Sequence, residues 1–222
     1  MLLTVDFDEA FLKRPCYRLR PEVSQVEWSR FEQLASREPV FADLKVAAFD
    51  LETAHEALQR SFRKICTQVE LFHPLEHVEP DEEVSFGDRL EVTDDQRRAH
   101  AEHFRACRHR QDPLIPTPTA IDLYAAWIAN SLGGRKRVAA LGVNFCSFAD
   151  GNGIRHIDLL SVIENGRGYA TRLLNAVASD AKRKGLREVC VTTEIENEAS
   201  LKAYKAAAFH MRAFNCVFHF KN

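Results

Sequence analysis

The sequence predicts an α/β fold laid down in two successive blocks. Short β-branched, apolar runs alternate with stretches of helical periodicity, and caps and glycines mark the changes between them. A hydrophilic segment, EHVEPDEEVSFGDRLEVTDD, divides the series. Alternation of this kind lays helices over a sheet. The 222 residues suffice for one large domain or two modest ones, and a 45% hydrophobic content suits a substantial core.

The first block runs from Cys16 to about Pro74. It reads as strand (16–20), helix (23–36), strand (44–49), helix (53–62) and strand (65–72). Leu58 and Phe62, one turn apart, mark the inner face of the second helix. The second block opens at the cap signal Thr93-Asp94-Asp95, followed by the helical text QRRAHAEHFRACR. The Pro-rich segment DPLIPTPT breaks it, and a helix over 120–132 ends at Gly133-Gly134. The strands RVAALG and VNFCSF follow, then a turn at Asp150-Gly151-Asn152-Gly153 that signals a hairpin. A strand over 155–162 enters the glycine-bearing segment ENGRGYA. A helix over 170–184 carries Leu173, Leu174, Val177 and Ala181 on one face. A strand (188–194), a helix (199–208) and a strand (211–219) finish the chain. The expected division is 1–85 and 86–222.

A weak internal repeat runs through both blocks. VAAFD, a helix ending at Phe62 and ICTQVELF correspond to VCVTTE, a helix ending at Phe209 and RAFNCVFHF. In this alignment Tyr204 falls opposite Ala57, and the first copy has no glycine loop, so it keeps scaffold without chemistry. Two ordinary strand–helix–strand units would give the same text.

Composition narrows the function. A net charge of −2 argues against nucleic acid or an anionic membrane as the main partner. The acidic start MLLTVDFDEAF is no secretory signal, and no run reaches the ~18 apolar residues of a membrane span. The six cysteines form no Cys-x-x-Cys pair and most sit among apolar neighbours, as reduced, buried thiols do. The expected compartment is the cytoplasm.

Two segments carry chemistry. Asn165-Gly166-Arg167-Gly168-Tyr169-Ala170 closes a strand and opens a helix, and its glycines let backbone approach a ligand. Free amides at a helix start, with the helix dipole behind them, bind phosphate or pyrophosphate. A tight strand-to-helix turn uses glycines for packing as well. In the second segment Asn197 caps a helix with Leu201, Tyr204 and Ala208 on one face. A tyrosine among alanines ordinarily fills a core.

In this order the two segments resemble the GNAT superfamily of acyl-CoA-dependent N-acyltransferases. The family loop follows Gln/Arg-x-x-Gly-x-Gly/Ala, matched by residues 165–170 with Asn165 in first place. The later family segment is matched by Asn197, Ala199, Tyr204 and Phe209, with Ala208 replacing the usual glycine. The resemblance covers about 93–221. It implies a GNAT fold, a central mixed and mostly antiparallel sheet flanked by helices, preceded by a smaller, incomplete GNAT-like half. It also implies acetyl-CoA as co-substrate and direct attack by a neutral amine. Ser161, Val162 and Ile163 would hold the pantetheine. Asn165, Gly166, Arg167, Gly168, Tyr169, Ala170 and Thr171 would hold the pyrophosphate, with Asn197 alongside. Tyr204 would protonate the departing thiolate.

A narrower similarity, in FRACRHRQDPLIP and LYAAWIANSL, is to the TDP-fucosamine acetyltransferases of bacterial surface-polysaccharide synthesis. It implies a nucleotide-linked amino sugar as acceptor. Arg108, His109 and Asp112, with Tyr124 and Trp127, are the expected acceptor pocket, since Arg holds a diphosphate and a ring stacks a sugar or base. His156 and Asp158 alternate along one strand and share a face, so either is a candidate base. His100, His103 and Cys107 fall on one helix face, with His109 beyond. A closed zinc site needs four arranged ligands, so no metal is expected. A homodimer is left open. The competing readings are an acetyltransferase for another amine (polyamine, antibiotic or protein amine) and a non-catalytic acyl-CoA-binding module.

Overall fold

A computed structural model gives the fold over residues 2–20, 23–76, 78–164 and 166–222. The first half runs β1 (Leu2–Thr4), α1 (Asp6–Leu12), β2 (Cys16–Leu19), α2 (Gln25–Ala35), β3 (Phe41–Ala47), α3 (Leu51–Gln59) and β4 (Arg63–His73). Helix α2 starts where Ser24 and Glu27 form a capping box, and Trp28 and Phe31 bury its inner face. Asp50 caps α3 by accepting from the Thr53 amide. β1 and α1 lie in the stretch the sequence left without structure. Its carboxylates Asp6, Asp8 and Glu9 occupy the first turn of α1, where the helix dipole favours them. β3 begins three residues earlier than expected, and Phe49, expected at its end, is 87% exposed.

The second half runs β5 (Ser85–Gly87), α4 (Asp94–His103), α5 (Arg108–Gln111), α6 (Thr117–Asn130), a π-helical turn (Ser131–Arg135), β6 (Arg137–Leu141), β7 (Asn144–Gly151), β8 (Ile154–Ser161), α7 (Tyr169–Arg183), β9 (Glu188–Glu194), α8 (Glu198–Ala206) and β10 (His210–Lys221). The helix read through Arg108 divides into α4 and α5, because Phe104 leaves the helix to pack its ring on Tyr124 at 4.9 Å. α6 starts earlier than expected, since its proline sits in the first turn, where a missing amide costs nothing.

All ten strands join one sheet, in the order β1-β2-β3-β10-β4-β9-β8-β7-β6-β5. Of the pairings among the described residues only β2·β3 and β8·β9 are parallel, so the sheet is mixed and mostly antiparallel, as the sequence predicts. At its centre the C-terminal strand β10 lies between β3 and β4, and the two halves share the sheet.

The internal repeat is visible in this register. A shift of 147 positions carries β3, starting at Phe41, onto β9, starting at Glu188, and the start of β4, Arg63, onto that of β10, His210. The same shift turns the pairing Leu71↔Val191 into Phe218↔Leu44 and Gln68↔Glu194 into Asn215↔Ala47. The helix ends repeat as well. Arg60 and Ala207 share φ −92°, ψ 23°, and the following Ser61 and Ala208 are left-handed at φ 64° and 57°. Ala208 therefore adopts the conformation that favours glycine, the residue usual in the family text. The copies differ at one turn. The N-terminal amides of α2 are met by its capping box, whereas α7 opens at Gly168 with no side-chain cap.

Helices cover both sheet faces. One face packs α2 and α3 through Trp28, Phe31 and Phe62, and α7 and α8 through Leu173, Leu174, Val177 and Tyr204. The other carries α4 and α6, whose Leu123, Tyr124 and Ile128 meet Val138, Phe145 and Leu159. Arg155 is wholly buried beneath α7, bonded to Asp150 at 2.7 and 2.8 Å and to Asp180 at 2.9 Å, with Phe148 4.1 Å away. A paired buried guanidinium of this kind fixes one docking of α7 on β8.

Candidate active site

β8 and β9 pair only from Ile154↔Glu188 to His156↔Cys190, after which the strands separate. The separation opens a cleft of about 610 Å³ that runs from the start of α7, past Tyr204, to β4 and β3. A bulge at the point of separation sharpens it. β7 pairs with Leu159 and then Ile157, leaving Asp158 outside the ladder, and such a bulge re-aims backbone groups beside a site.

One end of the cleft is the glycine turn. Gly166 and Gly168 have φ of 81° and 69°, and a side chain at either would extend into open space. Helix α7 takes up its first backbone bond at Arg172, which donates to Gly168. The amides of Tyr169, Ala170 and Thr171 precede that bond, and all three residues line the cleft. Three donors with no partner among the described residues, at the positive end of a 15-residue helix, suit a pyrophosphate. Arg172, paired to Asp81 at 2.7 and 2.9 Å, ties this helix start to the chain before β5. Arg167 is exposed, hydrogen-bonded to the Tyr169 hydroxyl at 3.3 Å, and does not line the cleft. Asn165 lies outside the described residues.

The strand end before the turn is held by Asn144, which no motif marks, and by His100, weighed in the sequence only as a metal ligand. Buried Asn144 accepts from the Ile163 amide at 3.0 Å and donates to Glu164 at 3.2 Å, so the Ile163 amide expected to meet pantetheine is already engaged. His100 lies 3.0 Å from the Val143 carbonyl through Nε2, which must donate, leaving Nδ1 to accept from the Ser161 hydroxyl at 2.8 Å. Burial pushes the imidazole down to about 4 and keeps it in this neutral form. Ser161 and Val162 line the cleft, Ser161 with its proton committed to His100. Among the described residues no group of three or more His, Cys, Asp or Glu is disposed to hold a metal.

Tyr204 borders the middle of the cleft from α8, with 3% of its surface exposed and its ring 5.4 Å from Phe209. Its hydroxyl has no hydrogen-bond partner among the described residues. Burial, followed by the charges of Cys146 and Glu194, raises it well above the ordinary phenol range, so the proton is held at neutral pH. Asn197 caps α8 through the Ser200 amide at 3.2 Å and also borders the cleft.

His156 and Asp158 both face the cleft, His156 from its exposed rim. The Oδ2 atom of Asp158 accepts from Trp127 at 3.1 Å and from Ser131 at 2.9 Å, and Lys136 stands 3.7 Å from Oδ1. Three partners already occupy that carboxylate.

Of the expected acceptor pocket, Arg108, Tyr124 and Trp127 line the cleft, while His109 and Asp112 do not. Those two are 1% and 2% exposed: His109 faces Asp8 at 3.7 Å and Asp112 holds His219 at 2.8 Å, pinning α5 to α1 and β10. Asp43, chelated by Arg18 at 2.8 Å, lies 3.8 Å from Arg108 and sets the direction of its side chain. The N-terminal half, read as scaffold only, supplies Lys45, Gln68 and Glu70 to the far wall. Gln68 and Glu70 alternate with buried Val69 and Leu71 in the central strand β4, and polar residues there were the signal for a functional face.

Comparison with known proteins fits this geometry. Residues 117–209 match the model of the acetyltransferase (GNAT) family. A GCN5-related N-acetyltransferase from Sphaerobacter thermophilus superposes with a TM-score of 0.61 at 14% identity, over 99% of this chain and 76% of that one. The fold is that of the GNAT acetyltransferases. Another GCN5-related N-acetyltransferase, from Kribbella flavida, gives 0.55 at 14% identity over 98% of this chain and 86% of its own. A tandem GNAT protein from the clavulanic acid biosynthesis pathway gives 0.55 at 13% identity over 94% and 75%. No curated protein matches the sequence. Within the GNAT fold the matched segment holds the β8–β9 separation, the α7 turn and Tyr204. Among the described residues no helix is long and apolar enough to cross a membrane.

Proposed function

We propose that the chain is an acetyl-CoA-dependent N-acetyltransferase acting on a small amine. The observation that carries this reading is the continuity of one cleft from the uncapped start of α7 to Tyr204, whose hydroxyl has no partner among the described residues. Amides 169–171 hold the pyrophosphate, and the β8 limb beyond the bulge lies along the pantetheine. Acetyl-CoA supplies the activated acetyl group at the separation of the strands. Backbone donors at the bulge face the developing oxyanion, and Tyr204 returns a proton to the leaving sulfur.

The acceptor enters from the far end, between Trp127 on α6 and the β4 wall. The finer reading, a nucleotide-linked amino sugar of surface-polysaccharide synthesis, is supported by the text of residues 104–116 and 123–132 and by Arg108 and Trp127 in the lining. Residues 1–85 serve in this reading as a degenerate GNAT-like half that closes the acceptor end. The six free cysteines fit a reducing compartment, the cytoplasm. The test is free-thiol release from acetyl-CoA across a panel of small amines. Amine-dependent release is expected, and thermal stabilisation by CoA with no release on any amine would replace the enzyme by a binding module.

A further inference from the structure

The far wall of the cleft holds a pair of acceptors that lack a donor. Gln68 and Glu194 stand directly opposite each other on β4 and β9, on the cleft side of the sheet. The Gln68 Nε2 amide donates to Glu194 Oε1 at 3.0 Å, which turns Gln68 Oε1 the other way. That oxygen is buried without a hydrogen-bond partner in a residue only 5% exposed. Glu194, 9% exposed, makes no ion pair among the described residues. A carboxylate beside an orphaned carbonyl oxygen is costly to bury, and the missing partner has to be a donor, best a cationic one.

The other acid–base groups of the cleft are differently placed. Asp158 is engaged by Trp127, Ser131 and Lys136, and Glu70 is paired with Arg212 at 3.3 Å. His156 sits on the exposed rim. Glu194 lines the cleft together with Tyr204, Tyr124, Lys45 and Arg108, and its charge acts on all four. Lys45 lines the same wall with no carboxylate in ion-pair contact, and Arg108 has a buried Nε with no partner. Two acceptors without a cation therefore face two cations with unused capacity.

We propose that Glu194 and Gln68 receive the primary ammonium of the acceptor while Lys45 and Arg108 receive an anionic group, carboxylate or phosphate, on the same molecule. The acceptor class is a zwitterionic amine, and the inference rests on the cleft being an acetyl-transfer site. Glu194 takes one proton from the ammonium and leaves the neutral amine. The amine nitrogen forms the C–N bond to the acetyl carbon as the C–S bond breaks, and the sulfur leaves with the Tyr204 proton. The second proton of the attacking nitrogen restores Tyr204, and Glu194 returns its own to water. An acetamide, CoA thiol and one proton result.

The test pairs α-amino acids, hexosamine phosphates and nucleotide-linked amino sugars with analogues lacking the carboxylate or phosphate, using thiol release from acetyl-CoA as readout. The best zwitterion is expected to exceed its anion-free analogue by roughly 10-fold or more in kcat/KM, and the successful arm identifies the anion. Glu194→Gln is expected to lower kcat/KM at neutral pH by about 10²-fold. Its rate should recover as pH approaches the amine's own pKa, with acetyl-CoA binding unchanged. Should that variant fold poorly, Lys45→Met at an exposed position gives the second reading: KM rises about 10-fold for the zwitterion and stays level for the anion-free amine. Wild-type rate and pH profile in Glu194→Gln, a best acceptor without an anion, or thiol release with anion-free amines but with no zwitterion each overturns the inference while the proposed activity stands. Failure of the wild type to bind acetyl-CoA removes both.

Discussion

Tyr204→Phe is expected to lower kcat by about 10²–10³-fold with acetyl-CoA affinity unchanged. The substitution removes one oxygen and nothing else. The ring keeps its contact with Phe209 at 5.4 Å, and no buried partner loses a hydrogen bond, because the hydroxyl has none among the described residues. Stability should therefore change by no more than about 0.5 kcal/mol. Turnover should change greatly, since a departing thiolate needs a proton delivered where charge develops, and Tyr204 borders that point of the cleft. Burial holds the Tyr204 proton in place until that charge appears. Steady-state kinetics with saturating amine, beside calorimetric titration of acetyl-CoA, separates the two quantities. An undiminished kcat would return Tyr204 to the role of core filler.

Gly168→Val should act at the opposite end of the cleft and by a different cause. Gly168 has φ 69°, a region in which a β-branched residue costs about 1–3 kcal/mol. The variant therefore either strains the turn or rotates the amides that follow. The added methyl groups also project into space that nothing in the protein fills, the space assigned to the pyrophosphate. Acetyl-CoA affinity is expected to fall by about 100-fold or more, on the order of 3 kcal/mol. The fold should survive, since α7 is anchored by Leu173, Leu174 and Val177 and by the Arg155 network. Retained affinity would move the phosphate site elsewhere.

Much of this arrangement was legible in the sequence where local chemistry is loud. The glycine turn, the Asn197 cap, and the face carrying Leu173, Leu174 and Val177 all lie where periodicity and caps put them. Phe62 and Phe209, too, end matching helices. The internal repeat was readable as text, but only the sheet register, with Leu71↔Val191 mirrored by Phe218↔Leu44, shows how the copies meet.

What stayed hidden depends on contacts between distant segments. His109 and Asp112 resemble ligand-binding residues in sequence, yet burial against Asp8 and His219 makes them fasteners of α5. Asn144 sits in a strand with nothing nearby to show that it engages the Ile163 amide. Gln68 and Glu194 are 126 residues apart and become a pair only when β4 and β9 align. The N-terminal half lacked a motif and was read as scaffold, whereas it lines the far end of the cleft, and the polarity of Gln68 and Glu70 in a central strand was the available clue.

Amide hydrogen exchange across residues 166–172, with and without acetyl-CoA, tests the central claim most directly. Saturable binding should slow the amides of Tyr169, Ala170 and Thr171, which have no acceptor among the described residues, and leave the capped start of α2 unaffected. Unchanged exchange at that turn, with acetyl-CoA bound or with none taken up, would contradict the account.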